Sequence, residues 1–288
     1  MISIKHYLLI LAIIIGFSSC SSNETIDDNS NTIETLDYSE EFNVSYGDDS
    51  DQIIDIYLPA NRTLETKVII LVHGGGWSAG DKDDMNGFID LIFQSFENIA
   101  VVNINYRLAD ENDSPYPMQT DDISSIINHL KNNRNNYVID DEFGFIGTSA
   151  GAYLSMLWSY ALDANDDAKM VCSIVGPTNF TDPAYLNNTN PELQALIDLY
   201  GENAAISFLE EVSPYHRVTA TAPPTILFYG GQDPLIPTTQ GTDMRDKLED
   251  LGVTHEFTLY ENEGHGWDGV NAIDTWLKLR TFIENYLE

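Results

Sequence analysis

Phe143-Gly144-Phe145-Ile146-Gly147-Thr148-Ser149-Ala150-Gly151-Ala152-Tyr153-Leu154-Ser155-Met156-Leu157-Trp158 joins a β-prone run to a helical run through a Gly-x-Ser-x-Gly pentapeptide. That pattern reads as a sharp strand-to-helix turn. The serine takes strained backbone angles there, and its neighbours must be small because strand and helix come very close. The turn lifts the Ser149 hydroxyl to the top of a sheet, at the N-terminus of a helix. Helix dipole and free amides favour a developing negative charge at that point. Gly and Ser are common, so the pentapeptide alone says little. Its strand–turn–helix setting is what makes Ser149 a candidate nucleophile.

The flanking sequence repeats the alternation. β-rich runs at residues 42–46, 53–58, 68–72, 100–105, 143–146, 170–175, 225–229 and 256–260 alternate with helical patterns near 84–97, 119–134, 150–162, 238–251 and 271–287. The first two runs alternate polar and apolar residues, as antiparallel edge strands do. Val68-Ile69-Ile70-Leu71-Val72 is apolar throughout, as a strand buried on both faces requires. The order predicts an α/β protein with a mostly parallel sheet flanked by helices on both faces. A hydrophobic content of 43% over 288 residues suits one large core, and no repeat or second linker interrupts it. Residues 177–217 are longer than a simple crossover needs and carry Pro183, Pro191 and Pro214, with helical patterns at 192–200 and 204–212. They predict either a cap over a site at the strand C-termini or a decorated crossover without substrate contact.

His73-Gly74-Gly75-Gly76-Trp77 follows the buried run ending at Val72. Three glycines let the backbone approach a ligand and aim amides at one point. An oxyanion hole needs such amides about 3 Å from the developing charge. The amides of Gly75, Gly76 and Ala150 are the candidate donors, with His73 and Trp77 supporting the loop. The run 225–229 leads into Gly230-Gly231-Gln232-Asp233-Pro234, and the run 256–260 leads into Glu261-Asn262-Glu263-Gly264-His265-Gly266-Trp267. Asp233 in a turn after a strand is placed to orient a histidine, and His265 in a flexible loop after the last strand is placed to serve as base. The order Ser149, Asp233, His265 is one of the known triad orders. Asp268, three residues past His265, reads as a cap for the final helix. Of the other histidines, His129 falls on a predicted helix, His255 at a strand start, and His216 reads as structural.

Several chemistries are disfavoured. A net charge of −33 argues against nucleic acid as a partner. No His-x-x-x-His or paired-Cys spacing predicts a catalytic metal, and no Gly-x-x-x-x-Gly-Lys loop predicts a nucleotide cofactor. Cys172 lies in an apolar run and reads as a buried thiol.

The chain start is a separate object. Lys5 and His6 precede an apolar run at 7–17, too short for a membrane span, followed by Ser18-Ser19-Cys20. Residues 1–19 read as a secretory signal. Cys20 after small residues resembles the bacterial lipobox, which implies lipidation of Cys20, anchoring to a membrane and a place in the bacterial cell envelope, periplasmic or surface-exposed. An ordinary cleaved signal is the competing reading. Residues 20–41 are polar and acidic and read as a flexible tether. The catalytic domain is expected over 42–288.

The segments His73-Gly74-Gly75-Gly76-Trp77, Gly80-Asp81-Lys82, Tyr106-Arg107-Leu108, Tyr116-Pro117 through Asp122, Gly147-Thr148-Ser149-Ala150-Gly151, Ser213-Pro214, Asp233 and His265 together resemble the esterase/lipase branch of the α/β-hydrolases. More narrowly, they are similar to bacterial acetyl and feruloyl esterase-like enzymes. The resemblance spans nearly all of 42–288. It implies an eight-stranded sheet and a cofactor-free serine carboxylic ester hydrolase, acting on a small-molecule or polysaccharide ester. His-Gly-Gly-x-Trp also occurs in kynurenine formamidases, so an amidase or peptidase on the same fold stays open. So does an inactive binding lipoprotein, against which the complete triad and glycine loop speak.

Overall fold

The computed structural model describes residues 36–201 and 204–288. The expected signal, Cys20 and most of the tether lie outside the described residues. Ordered backbone begins before the expected boundary of 42, because β1 (Ser39–Ser45) already pairs from Ser39 with β2 (Ile53–Leu58). That edge strand is largely exposed, and a register shift between Glu41 and Val44 breaks its alternation, which hides its start in the sequence.

The remaining elements follow in chain order. β3 (Lys67–Val72), α1 (Asn86–Ser95), β4 (Ile99–Ile104), α2 (Pro115–Tyr137), β5 (Phe143–Thr148) and α3 (Ala150–Ala161) form the first half. β6 (Ala168–Ile174) is followed by four short helices, α4 (Pro183–Leu186), α5 (Pro191–Asp198), α6 (Ile206–Glu211) and α7 (Pro214–Arg217). β7 (Thr225–Gly230), α8 (Thr238–Leu251), β8 (His255–Tyr260) and α9 (Gly269–Tyr286) complete it. The described residues build one eight-stranded sheet in the order β1-β2-β4-β3-β5-β6-β7-β8. β2 runs antiparallel to both β1 and β4, and all later pairings are parallel. This is the α/β-hydrolase sheet that the resemblance implies.

Alternation along β3 shows why both faces must be covered. Val68, Ile70 and Val72 join the core under α2, α3 and α8, while Ile69 and Leu71 join the core under α1 and α9. All five are fully buried. β2 corrects the edge-strand expectation: it is antiparallel but internal. Its polar Asp55 is buried, accepts from the Asn43 amide at 2.7 Å and pairs with Lys82 at 3.2 Å. The alternation there marks a buried ion pair, not a wet face. Helix α2 starts earlier than expected, at Pro115, with Tyr116 itself extended (φ −109°, ψ 131°).

One polar group ties three elements together. Asp122 on α2 is fully buried. Its carboxylate accepts from the Arg107 guanidinium at 2.6 and 3.0 Å, the Arg107 amide at 2.8 Å and Gln52 Nε2 at 2.7 Å. Asp122→Ala leaves buried Gln52 Nε2 without its acceptor and strips the partly exposed Arg107 of its pair. It should cost about 3 kcal/mol, the low end for breaking a buried pair because Arg107 reaches solvent. Urea unfolding of both proteins measures this, and a loss below about 1 kcal/mol would show that the network carries little of the fold.

Candidate active site

Ser149 follows β5 at the tight turn that its sequence predicts. Its φ of 50° and ψ of −118° lie outside the regions that L-residues favour, a strain of about 1–3 kcal/mol that the surrounding packing must hold. Gly151 shows the packing. A side-chain carbon at this position would lie 2.2 Å from the Val72 carbonyl oxygen and 2.3 Å from that of His73. Only glycine lets the first turn of α3 slide under the end of β3.

The three candidate residues of the triad meet. His265 Nε2 lies 2.9 Å from Ser149 Oγ, and His265 Nδ1 lies 2.7 Å from Asp233 Oδ2. The carboxylate can only accept, so Nδ1 carries the proton and Nε2 presents its lone pair to the serine hydroxyl. Asp233 is locked from its other oxygen, which accepts from the amides of Leu235 at 2.8 Å and Ile236 at 3.0 Å. Its side chain is 1% exposed, against 26% for His265. The loops after β7 and β8 are joined directly: the Gly231 amide donates to the Tyr260 carbonyl and the Gln232 amide to the Glu263 carbonyl, each at 2.8 Å. Those bonds bring Asp233 and His265 to one point. Asp268 stands at the N-cap of α9 but makes no side-chain capping bond, so its expected capping role is corrected to position alone. Glu263 is engaged elsewhere, accepting from Asn271 at 2.6 Å.

The glycine loop curls beside the serine. Gly75 and Gly76 have φ of 110° and 58°. The Gly75 carbonyl accepts from Ser78 at 3.3 Å and Ala79 at 3.0 Å, which closes the loop on itself. Gly76 and Ala150 line a pocket shared with Ser149 and His265, and Gly75 precedes Gly76 in the same loop. His73 is fully buried, stacked on Tyr106 with ring centroids 4.3 Å apart. Its Nδ1 donates to the Gly74 carbonyl at 2.6 Å, and the Tyr106 hydroxyl donates to the His73 carbonyl at 2.9 Å. Trp77, at φ 66°, is anchored through its carbonyl by Gln119 Nε2 at 2.7 Å and the Ala109 amide at 2.9 Å. The sequence marks Tyr106, Gln119 and Asp122 only as part of segments that carry the family resemblance and gives them no supporting role. The visible signal is two polar residues, Gln119 and Asp122, on the same helical face as the apolar Ile123 and Ile126.

The segment 177–217 contributes to the pocket directly: Pro177, Phe180, Tyr185, Leu193, Leu196 and Ile197 stand in its wall, opposite Leu235 and Ile236. None of these wall residues was singled out from sequence, because apolar residues in a segment without periodicity give no direction. The Tyr185 hydroxyl and Trp77 Nε1 are buried without a hydrogen-bond partner among the described residues. His216 turns away to Thr181 Oγ1 at 2.8 Å, Cys172 is fully buried, and the burial pushes its thiol above the ordinary range.

Burial also holds the His73 imidazole below its ordinary value of 6.5, against the opposing effect of the Gly74 carbonyl. The folded chain therefore keeps His73 neutral where the unfolded chain takes up a proton. The contribution of this group to stability is complete above the unfolded value and is lost as pH falls below it. In an NMR titration the His73 ring should remain neutral at a pH just under the ordinary histidine value. A midpoint at the ordinary value would overturn the reading of a locked, neutral support.

Comparison with known proteins agrees with this architecture. Among curated proteins, the chain is 26% identical over 258 residues to Esterase LipC of Mycobacterium tuberculosis, covering 81% of this chain and 61% of that protein. The chain spans 50–61% of the length of the first curated relatives it matches. A solved structure described as a truncated form of carbohydrate esterase from gut microbiota superposes with a TM-score of 0.68 at 21% identity, over 85% of this chain and 97% of that one. Carboxyl esterase 2 from the fungus Tuber melanosporum gives 0.71 at 22% identity, over 88% and 89%. At those identities the likeness is one of fold. The BD-FAE family model matches residues 54–248, a segment that holds the glycine loop, Ser149 and Asp233 and stops short of His265. The chain belongs to the BD-FAE family of α/β-hydrolases.

Proposed function

We propose that this protein is a serine carboxylic ester hydrolase that releases acyl groups from carbohydrate through an acyl-enzyme. The observation that carries the reading is the unbroken hydrogen-bonded line Ser149–His265–Asp233. Ser149 Oγ attacks the ester carbonyl carbon while His265 Nε2 takes its proton. The imidazolium forms against the buried Asp233 carboxylate. Negative charge on the former carbonyl oxygen is received by amides of Gly75, Gly76 and Ala150, with Gly76 and Ala150 bordering the pocket. Collapse breaks the carbon–oxygen bond, and the leaving alcohol takes the proton back from His265. Water, activated by the same imidazole, then cleaves the acyl-serine. Names of relatives support the substrate class: an esterase among the curated proteins and a carbohydrate esterase among the solved structures.

Ser149→Ala should lower ester hydrolysis by about a thousandfold or more with little change in stability. It should also abolish labelling by a fluorophosphonate probe. Near-normal hydrolysis by the purified variant would remove Ser149 from the mechanism. Asp233→Asn should reduce kcat by about 10⁴-fold near neutral pH and KM far less, since the residue acts on the base. Asp268→Asn should do much less. The reverse ranking would redraw the triad around the 261–268 loop.

We also propose that the chain is processed before Cys20, lipidated there and held at the bacterial cell envelope. The support is the short apolar run ending in Ser18-Ser19-Cys20. Full-length protein should partition with membranes and the Cys20→Ala variant should not. A variant that stays membrane-bound would refute the anchor.

A further inference from the structure

The pocket beside Ser149 is narrow. The room it leaves for the centre of a water-sized sphere is about 20 Å³, little more than one such sphere needs. Helix α5 supplies the roof through Leu193, Leu196 and Ile197. Leu196 reaches down from that roof to the glycine loop. A carbon placed on Gly76 would stand 2.5 Å from Leu196 Cδ2, so that methyl group already rests on the backbone next to which the scissile carbonyl must dock.

The roof is pinned. Tyr200, two residues past α5, packs edge-on against Trp77 with centroids 5.2 Å apart, and lies 4.9 Å from Phe180. Trp77 belongs to the glycine loop, so α5 and the loop share one aromatic cluster and do not separate freely. The wall is mostly apolar, which suits an acyl substituent and offers little to a hydroxylated sugar. The sugar therefore sits outside and the acyl group inside.

We propose that Leu196 sets acyl specificity, limiting the pocket to an acetyl-sized group and excluding long aliphatic and phenylpropenoyl groups such as feruloyl. This rests on the ester hydrolase reading above. A two-carbon acyl group places one methyl beyond the carbonyl, which a space of this size holds. Each further carbon has to displace the Leu196 side chain. A pocket rejects one surplus methylene by about 10–200-fold, so four surplus carbons leave little turnover.

The test compares kcat/KM for para-nitrophenyl acetate, hexanoate and ferulate in the wild-type protein, Leu196→Ala and the milder Leu196→Val, with thermal melting of each to confirm folding. The wild type should favour acetate over the other two by well over tenfold. Leu196→Ala should raise the hexanoate-to-acetate ratio by about tenfold or more, with Leu196→Val intermediate. Should the alanine variant fail to fold, the valine variant decides by the same ratio. Wild-type protein that reacts with a fluorophosphonate but hydrolyses hexanoate or ferulate as fast as acetate overturns the specificity claim and leaves the hydrolase reading standing. So do folded variants whose ratio matches the wild type. Wild-type protein that neither reacts with the probe nor hydrolyses any ester overturns both.

Discussion

The close passage of α3 beneath the end of β3 is the constraint on which the site depends. Gly151 leaves no room for a side chain against the Val72 and His73 carbonyls. With that contact made, Ser149 is forced into its strained turn and Ala150 is set beside the glycine loop. A bulkier residue would push the helix away from the sheet, and Ser149 and the glycine loop would part. The strain at Ser149 is thus held by packing that buried strands on both sides make rigid, as close-packed interiors do.

Around this contact the chain spends polar groups where a purely hydrophobic design would not. Asn105 bonds the Lys82 amide at 2.6 Å and Asp81 at 2.9 Å, and Asn103 bonds the Lys82 carbonyl at 2.7 Å. These contacts fasten the Asp81–Lys82 turn to the end of β4. Arg107 and Asp122 fasten the next loop to α2, and Gln119 reaches back to Trp77. Each satisfied polar group fixes a direction as well as a distance, which apolar contacts do not. The loop that faces Ser149 is therefore oriented from behind by side chains that do not line the pocket.

Much of this was legible in the sequence because its signals are local. The strand–turn–helix around Ser149, the glycines after Val72, and the order of Asp233 and His265 after separate strands each announce themselves within a few residues. β1 was misplaced by three residues because an exposed, bulged edge has no hydrophobic pattern to mark it. β2 was read as an edge because Asp55 looks like a solvent-facing residue until Lys82 arrives from 27 positions away. The pocket wall was invisible for the same reason in stronger form. Leu196, Phe180 and Leu235 acquire a shared direction only when three separated segments fold over one serine, and no periodicity within any one of them encodes that.

Strand directions carry one more consequence. β1 is antiparallel to β2 and β2 is antiparallel to β4, so β1 points the same way as the parallel strands. The chain therefore enters the sheet at Ser39 on the floor of the molecule, while Ser149, Asp233 and His265 all stand at the opposite, carboxyl ends of their strands. Chain entry and the candidate triad are thus divided between the two ends of the sheet, so a change at the β1 edge need not reach the pocket.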